Sequence, residues 1–551
     1  MAELDASVVI AGGGPAGLML AIELGRRGVA TLLLSERPGT TTFPQANATQ
    51  ARTMEHYRRL GFAAAIRRTG MPSDYPTDVA YFTRIARYEL ARFELPAAAA
   101  TGALVKTLSG SWSAAELPHR GSQLYVERVL RQEAEKLASI KLCFGWRVEG
   151  FAEKDDYVMV DAVEVASGEK RRFTGAYLAG CDGPRSTIRR QLGFRYHGEA
   201  GVARDYMGGR MLSIWFRAPA LYRTVPNKRA WQYWAVNATQ RGLLLALDGR
   251  DEFVFMFQLR PGEDEGRISD DWAKHAFFQA LGAECPIEII DRMPWTAGLT
   301  LVGEKFQEGR VCLLGDAVHL FTPTGGLGYN TAIEDAVNLG WKLAAVLRGW
   351  GGARLIRTYE AERRRVALRN TAYARSFADS IGNFMPSLWL EDESPEGDAA
   401  RAEAGIYLNR HAREEFNIPG VTFGARYDGS PIIEADGTSP PPDRANVYVP
   451  SATPGGRAPH AWLADGRSLY DAFGFDFSLL RLGPKAPNAT PLAAAAAARG
   501  VPLSVIDLPQ DELRDLYEAD LALIRPDQII AWRGNAVPED VAKLLVTVTG
   551  A

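Results

Sequence analysis

The sequence predicts an α/β protein, and three features of the chain carry that prediction. Val8–Ala11 is a short apolar, β-branched run that leads into Gly12-Gly13-Gly14-Pro15-Ala16-Gly17, after which Leu18, Ala21, Ile22 and Leu24 recur at helical spacing. A second apolar run, Thr31–Leu34, ends at Ser35-Glu36-Arg37, which places Glu36 nineteen residues after Gly17. Much later, Val311–Leu314 ends in Gly315-Asp316 and is followed by a helix predicted from Asn330 to about Leu347. Strand, glycine turn, helix and strand in that order open a dinucleotide-binding fold.

Composition sets the frame for the rest. The 551 residues are 46% hydrophobic and 23% charged, the balance of a globular chain with ample core. With 63 Lys+Arg against 66 Asp+Glu the net charge is −3, which offers no long-range attraction to a polyanion, so no nucleic-acid partner is expected. Cys143, Cys181, Cys285 and Cys312 lie far apart with no C-x-x-C pair, which argues against a disulfide framework, a metal cluster or a dithiol centre. The apolar stretch Val8–Leu24 follows acidic Glu3 and Asp5 and is broken by Gly12–Pro15, so it does not read as a targeting segment. No run of about 20 apolar residues occurs elsewhere, and a cytoplasmic protein without a membrane partner is expected.

The remaining elements follow in order. A helix is predicted from Ser122 to about Leu137, carrying Gln123, Glu127 and Arg128. An apolar strand near Tyr177–Ala179 ends in Cys181-Asp182-Gly183-Pro184-Arg185-Ser186. From Gly201 to Trp295 the pattern changes to aromatic-rich alternation, as in Trp231-Gln232-Tyr233-Trp234 and Phe253–Phe257, which reads as a sheet with one face on a cavity. Acidic residues with Pro and Gly at 391–400, and three consecutive prolines within 436–444, read as linkers. Beyond them, 446–551 reads as a smaller α/β unit.

The glycine turn has a physical logic. Gly12 permits the tight turn, Gly14 lets a pyrophosphate approach the backbone beside Ala16, and Gly17 allows close helix packing; the helix N-terminus supplies N–H donors. Glu36 is placed to accept from a free ribose 2′-hydroxyl, as in FAD or NAD. Downstream, Gly326 and Gly328 within Pro323–Asn330 leave backbone amides free to reach a flat ring or a phosphate at the start of the next helix.

Taken together, the Gly12–Gly17 turn, the Asp182-Gly183-Pro184-Arg185-Ser186-Thr187-Ile188-Arg189 segment and Gly315-Asp316 with its helix through Asn338–Leu343 resemble the three fingerprints of the single-component (group A) FAD-dependent aromatic hydroxylases. Pro454–His460, Arg525-Pro526-Asp527 and Trp532-Arg533 resemble the phenol, chlorophenol and nitrocatechol hydroxylase branch of that family. The resemblance implies a p-hydroxybenzoate-hydroxylase-like FAD-binding Rossmann-type domain in three parts (1–80, 106–195, 296–390). It implies an inserted mixed-sheet substrate domain (81–105, 196–295), a linker (391–445) and a C-terminal thioredoxin-like α/β domain (446–551). It further implies that Glu36 and Arg37 hold the adenosine end, Gln123 the FAD chain, and Asp316 the ribityl–pyrophosphate region. Pro323 to Asn330, with Gly326 and Gly328, would face the isoalloxazine; Asp182 and Arg189 would serve the FAD and NAD(P)H pyrophosphates. Gln45 and Arg52 bracket a further cofactor-side segment. A homodimer is implied by the same resemblance.

The implied chemistry is hydroxylation of a small phenolic aromatic: NAD(P)H reduces FAD, O2 adds to form a C4a-hydroperoxide, and oxygen passes to the ring. Asn47, Pro323 and Tyr233 are the candidate catalytic residues. Asn47 stands where phenol hydroxylases carry an Asp, and it cannot act as a base; Gln45 replaces an Arg common in that segment. Two readings stay open. The base sits elsewhere, for instance as a Tyr or His in the aromatic sheet, or the substrate is already acidic, such as a nitrocatechol or chlorophenol. A larger polycyclic aromatic or antibiotic substrate is an alternative, as is a non-hydroxylating flavin-binding interaction protein. His319 reads as a structural hydrogen-bonded residue, Tyr206, Trp215, Tyr233, Trp234, Phe255 and Met256 as pocket walls, and Arg363-Arg364-Arg365 as a solvated or salt-bridged helix face.

Overall fold

A computed structural model describes residues 4–202, 204, 206–260, 262–263 and 268–551; Glu3 lies outside them. The first layer is a sheet whose centre is parallel. Ala6–Ala11 pairs with Lys170–Gly180 on one side and Thr31–Ser35 on the other; Ile140–Phe144 and Val311–Leu313 continue it in parallel. Every residue of Thr31–Ser35 is buried, as expected of strands covered on both faces. The helices Pro15–Gly25 and Leu327–Leu347 pack against each other over this sheet. The carboxyl ends of the three parallel strands Ala6–Ala11, Thr31–Ser35 and Val311–Leu313 therefore deliver Gly12, Glu36 and Gly315 to one edge, where ligands of open α/β sheets sit.

A seven-stranded sheet forms the second layer, in the order Glu288–Thr296, Arg210–Arg217, Glu252–Gln258, Arg241–Ala246, Gln232–Val236, Val79–Phe82, Glu89–Phe93. One side is packed by the helix Asp270–Leu281, with Phe277 against Phe216 at 4.7 Å and Phe255 at 5.4 Å between ring centroids. The other side is covered at its Val79–Phe82 end by the helix Pro395–Phe416, with Tyr81 edge-on to His411 at 6.2 Å, and at its Arg210–Arg217 end turns toward the segment Phe43–Gln50. Phe43 meets Trp215 edge-on at 6.3 Å, and Gln45 Nε2 lies 4.0 Å from Met293 Sδ.

The C-terminal unit is a four-stranded mixed sheet in the order Leu503–Leu508, Phe477–Leu482, Leu521–Ile524, Ile530–Gly534, with helices Thr490–Ala498, Asp511–Tyr517 and Val541–Thr549. It docks through buried charge. Arg525 reaches Glu362 and Asp527, Lys342 Nζ lies 2.7 Å from Glu362, and Arg457 Nε donates to Glu55 at 3.1 Å. Arg525 and Arg457, which carry the C-terminal resemblance, thus serve the junction between units.

The stretch expected to be a linker over 391–445 is otherwise. Pro395–Phe416 is a 22-residue helix, capped by Ser394, whose side chain accepts from Gly397 N, and carrying Glu396 and Asp398 in its first turn. Pro at the first position and acids beside the positive helix end are helix-start chemistry, which shares its composition with linkers. Residues 436–443 do lack helix and strand. In the Arg363–Arg365 run, expected as a solvated or salt-bridged face, Arg363 takes the salt-bridged form, but in the core. Arg363 is fully buried, donating to Asp335 Oδ1 at 2.7 Å and to the Tyr427 hydroxyl at 3.0 Å, because the 29-residue helix Arg354–Gly382 turns that position inward. Among the described residues no helix is long and apolar enough to cross a membrane, and no cluster of His, Cys, Asp or Glu is placed to hold a metal.

Candidate active site

At the sheet edge the glycine turn is set by backbone collisions. Gly12 has φ +115°, and a Cβ there would lie 2.1 Å from Cys181 O. A Cβ on Gly17 would lie 1.9 Å from Gly12 O, so the helix can approach the strand only without one. Gly14 differs: nothing stands within 4 Å of its absent side chain, so the helix N-terminus faces open space. Ala16 backs onto Gly315 from the other side, its Cβ 3.5 Å from where a Gly315 Cβ would be. Glu36 and Arg37 are exposed where Thr31–Ser35 ends. Gln123 begins its helix just after Ser122, the N-cap, and donates to Glu127 Oε1 at 2.6 Å, while Thr41 N donates to Glu127 Oε2 at 2.7 Å. Burial pushes the Glu127 carboxyl up from its ordinary value.

The two downstream motifs are tied together. Asp182 Oδ2 accepts from Thr187 N at 2.7 Å and Ile188 N at 3.2 Å. Arg189 stacks over Tyr196 at 3.9 Å and donates to Ala317 O at 3.1 Å; Tyr196 in turn donates to Asp316 O at 2.5 Å. Arg189 thereby braces the Gly315–Ala317 turn. Asp316 is accessible yet surrounded by protein, the situation of a group lining a cleft, and burial pushes its carboxyl upward against the opposing effect of His319. Beneath it, Asp335 accepts from Gly315 N at 3.2 Å, from His319 Nε2 at 2.7 Å and from Arg363. Burial pulls the Asp335 carboxyl up, but Arg363 and His319 outweigh it and hold it below its ordinary value.

The segment Pro323–Asn330 is held by side chains. Gly325 and Gly326 both have φ +65°, and a Cβ on Gly326 would lie 2.9 Å from Ala48 Cβ. Gln50 Nε2 donates to Gly325 O at 2.8 Å, and Gly325 N donates to Glu415 Oε1 at 2.9 Å. Asn330 Nδ2 donates to Ala48 O at 2.9 Å and to Gly326 O at 2.6 Å, while its Oδ1 accepts from Gln50 N at 2.8 Å and from the Thr53 hydroxyl at 2.7 Å. Asn330, expected to touch the cofactor, spends its amide on this clamp and positions the loop instead. A Cβ on Gly328 would meet the Phe321 ring at 3.4 Å, and Pro323 is exposed at the loop's start. Gln50 and Glu415, which hold this loop, were not singled out from the sequence.

Two further expectations change. Arg52 is turned away from the cleft: it donates to Glu55 Oε2 at 3.0 Å, Gln528 Oε1 at 2.7 Å and Asp527 O at 2.7 Å, at the junction with the C-terminal unit. Tyr233 lies on the far side of the seven-stranded sheet, stacked on Phe82 at 6.0 Å, with its hydroxyl accepting from Ala230 N at 2.8 Å. Side chains alternate along a strand, so its neighbour Trp234 points to the near side instead. Phe255 shares the far side with Tyr233, through the register Phe255–Leu244–Tyr233. The near side carries the row Met293, Ser213, Met256, Leu243, Trp234, Tyr81 across six strands, with Tyr206 edge-on to Trp234 at 5.9 Å. Asn47 and Gln45 are half-buried on the segment opposite, and Asn47 O accepts from Gly121 N at 3.1 Å.

The features at this edge fit FAD. An open helix N-terminus at Gly14, an exposed acid at Glu36, a cleft-lining Asp316 and a loop whose peptides are locked at Gly325–Gly326 are what its ribose, pyrophosphate and ring require.

Comparison with known proteins agrees. The chain matches the model of an FAD binding domain over residues 5–374 and that of the aromatic-ring hydroxylase C-terminal region over 451–551. It is 30% identical to an FAD-dependent monooxygenase, apdD, of Emericella nidulans, covering 99% of this chain and 90% of that protein. Among solved structures, RebC soaked with chromopyrrolic acid and holding 7-carboxy-K252c is similar at 33% identity and TM-score 0.89, over 100% of both chains. Aklavinone-11 hydroxylase with FAD and aklavinone is similar at 26% identity and TM-score 0.84, again over 100% of both. The chain belongs to the FAD-dependent aromatic-ring hydroxylase family.

Proposed function

We propose that this protein hydroxylates an aromatic ring of a polycyclic substrate, with NAD(P)H and O2 as co-substrates. The observation that carries the reading is the near side of the seven-stranded sheet. Its open part is shared by the three adjacent strands Arg210–Arg217, Glu252–Gln258 and Glu288–Thr296, about 10 Å across at the usual strand spacing, while Leu243, Trp234 and Tyr81 are buried, Tyr81 lying edge-on to His411 of the helix Pro395–Phe416 at 6.2 Å. Trp215, Met256 and Met293 on it are half-buried, opposite Gln45 and Asn47. The flat indole of Trp215 and the two adaptable methionines beside it suit the face of a fused-ring system. RebC and aklavinone-11 hydroxylase, which are solved with K252c-type and aklavinone ligands, support the same reading.

FAD, once bound, supplies reducing equivalents from NAD(P)H and activates O2. The chain's own part is to bind, orient and exclude water. The Gly14 helix end and Glu36 take the adenosine and pyrophosphate, with Gln123 and Asp316 along the chain. The Gly325–Gly326 peptides, fixed by Gln50, Asn330 and Glu415, form a rigid wall beside the ring, and pre-set geometry of this kind lowers the reorganisation needed at reaction. The apolar sheet face orients the substrate and keeps water away. Asn47 donates to or accepts from a ring hydroxyl without taking its proton.

A second reading, an acidic phenol such as a nitrocatechol or chlorophenol, is favoured by that same Asn47, since an already ionised ring needs no base. NADH and NADPH oxidation by the FAD-loaded protein, followed with product and hydrogen peroxide, separates the two. Polycyclic phenols should give hydroxylated product, and small phenols mostly peroxide. Coupled turnover of a small acidic phenol would replace the polycyclic reading; reducible flavin with no stimulation by any arene would sink both.

A further inference from the structure

The strand His119–Arg120 pairs with Ala48–Thr49, on the flank of the segment that carries Asn47. Arg120 is 6% exposed and lies over the Trp231 ring at 4.9 Å. The other deeply buried guanidiniums described above each have a carboxylate: Arg363 has Asp335, Arg457 has Glu55, and Arg525 has Glu362 and Asp527. Among the described residues Arg120 has none, and its Nη1 has no hydrogen-bond partner. Burial moves its ionisation down to about 10, and among the described residues no neighbouring charge offsets the lost hydration. A desolvated cation left without an anion is strongly unfavourable, and the ring beneath it compensates only in part.

Arg120 lines a small cavity of about 30 Å³ with His119, Met71, Thr77, Leu95 and Pro96. The volume is room for about two waters, the span of a carboxylate's two oxygens. Arg120 is the one charged residue in the lining. His119 is held down to about 4 by burial and by Arg67, so it is a neutral imidazole at neutral pH, with Nε2 unpartnered. Arg67 itself is satisfied by Glu116 at 2.8 Å. The cavity therefore offers one unmet positive charge within walls that are otherwise neutral and mostly apolar.

We propose that Arg120 is the floor of an anion subsite that takes a single carboxylate-class oxyanion. The anion arrives either free or as the acidic group of an aromatic ligand whose ring rests on Leu95 and Pro96. The site stands on its own geometry, independent of the reaction proposed above.

The test is thermal unfolding of the FAD-loaded protein at constant ionic strength with formate, benzoate or uncharged benzamide. A saturable rise in Tm with formate or benzoate, absent with benzamide and lost in Arg120→Met, is expected. Saturation by benzoate at a concentration tenfold or more below formate marks an aromatic carrier; equal concentrations mark a free anion. Ala98→Phe fills the cavity and keeps the guanidinium, so it should abolish the shift even where Arg120→Met fails to fold. No saturable shift with either anion, or the same shift in the two variants as in the parent, overturns the subsite and makes Arg120 a packing residue on Trp231. Because Tm is read without turnover, that outcome leaves the hydroxylation reading untouched.

Discussion

Two glycine-rich segments face the same cleft, and they are rigid for different reasons. In Gly12–Gly17 the constraint is steric and local: carbonyl oxygens of Cys181 and Gly12 occupy the places where side chains would go. In Gly325–Gly326 the glycines supply the left-handed backbone, but Gln50 and Glu415, from distant parts of the chain, and Asn330, four residues on, hold it there by hydrogen bonds. The first segment is a shape the backbone cannot leave. The second is a shape the rest of the molecule must keep in place.

This difference orders the expected effects of substitution. Gly12→Ala should be the most damaging, because a Cβ at φ +115° must displace Cys181 O; the variant should purify without flavin, read as the ratio of flavin to protein absorbance. Gly14→Ala has open space and should fold with stability within about 0.5 kcal/mol of the parent while binding FAD more weakly. If both variants unfold alike, the steric account of the turn is wrong.

Asp335→Asn comes next. It weakens the charged support under Gly315, His319 and Arg363, and breaking one member of a fully buried pair costs about 3 kcal/mol. The Asp335 carboxyl is held below its unfolded value, so its contribution is fully present above that value and is lost as pH falls through the folded one. Urea midpoints between neutral and acid pH should therefore converge for parent and Asp335→Asn at the acid end; parallel curves would contradict the assignment.

Asn330→Ala removes four hydrogen bonds from the clamp at once and should cost about 2 kcal/mol. FAD should still bind, but product per NAD(P)H should fall as hydrogen peroxide rises, since the wall beside the ring loosens. Glu415→Gln keeps an acceptor for Gly325 N and should change stability by less than about 1 kcal/mol. A Glu415→Gln loss as large as that of Asn330→Ala would show that charge rather than hydrogen bonding holds the loop.

The same contrast explains what could be read from the sequence. The Gly12–Gly17 turn, the strands beside it and the Gly315-Asp316 motif were legible because their determinants lie within a few residues of one another. The clamp was not, because Gln50 and Asn330 meet across 280 positions and neither has a local signature. Tyr233 failed for another reason: alternation reveals that a strand has two faces, and only packing against Asp270–Leu281 decides which one is hidden. The start of the helix Pro395–Phe416 was read as a linker because Ser, Pro and acidic residues are common both to helix starts and to linkers. For the Arg363–Arg365 run a solvated or salt-bridged face was readable, and Arg363 is salt-bridged, but that its partner Asp335 lies in the core was not, because a triple-arginine run does not show which residue turns inward.

The helix Ala51–Arg59 starts one residue after Gln50, and three of its side chains reach the C-terminal unit: Arg52 to Gln528, Glu55 to Arg457 and Arg58 to Asp471. The small unit is therefore not a detachable module. Grafting it from another hydroxylase, or trimming it to make a minimal enzyme, would strand buried ions on the helix that adjoins the flavin wall. Chimeras of this fold should carry the C-terminal unit together with the helix Ala51–Arg59 that it is paired to.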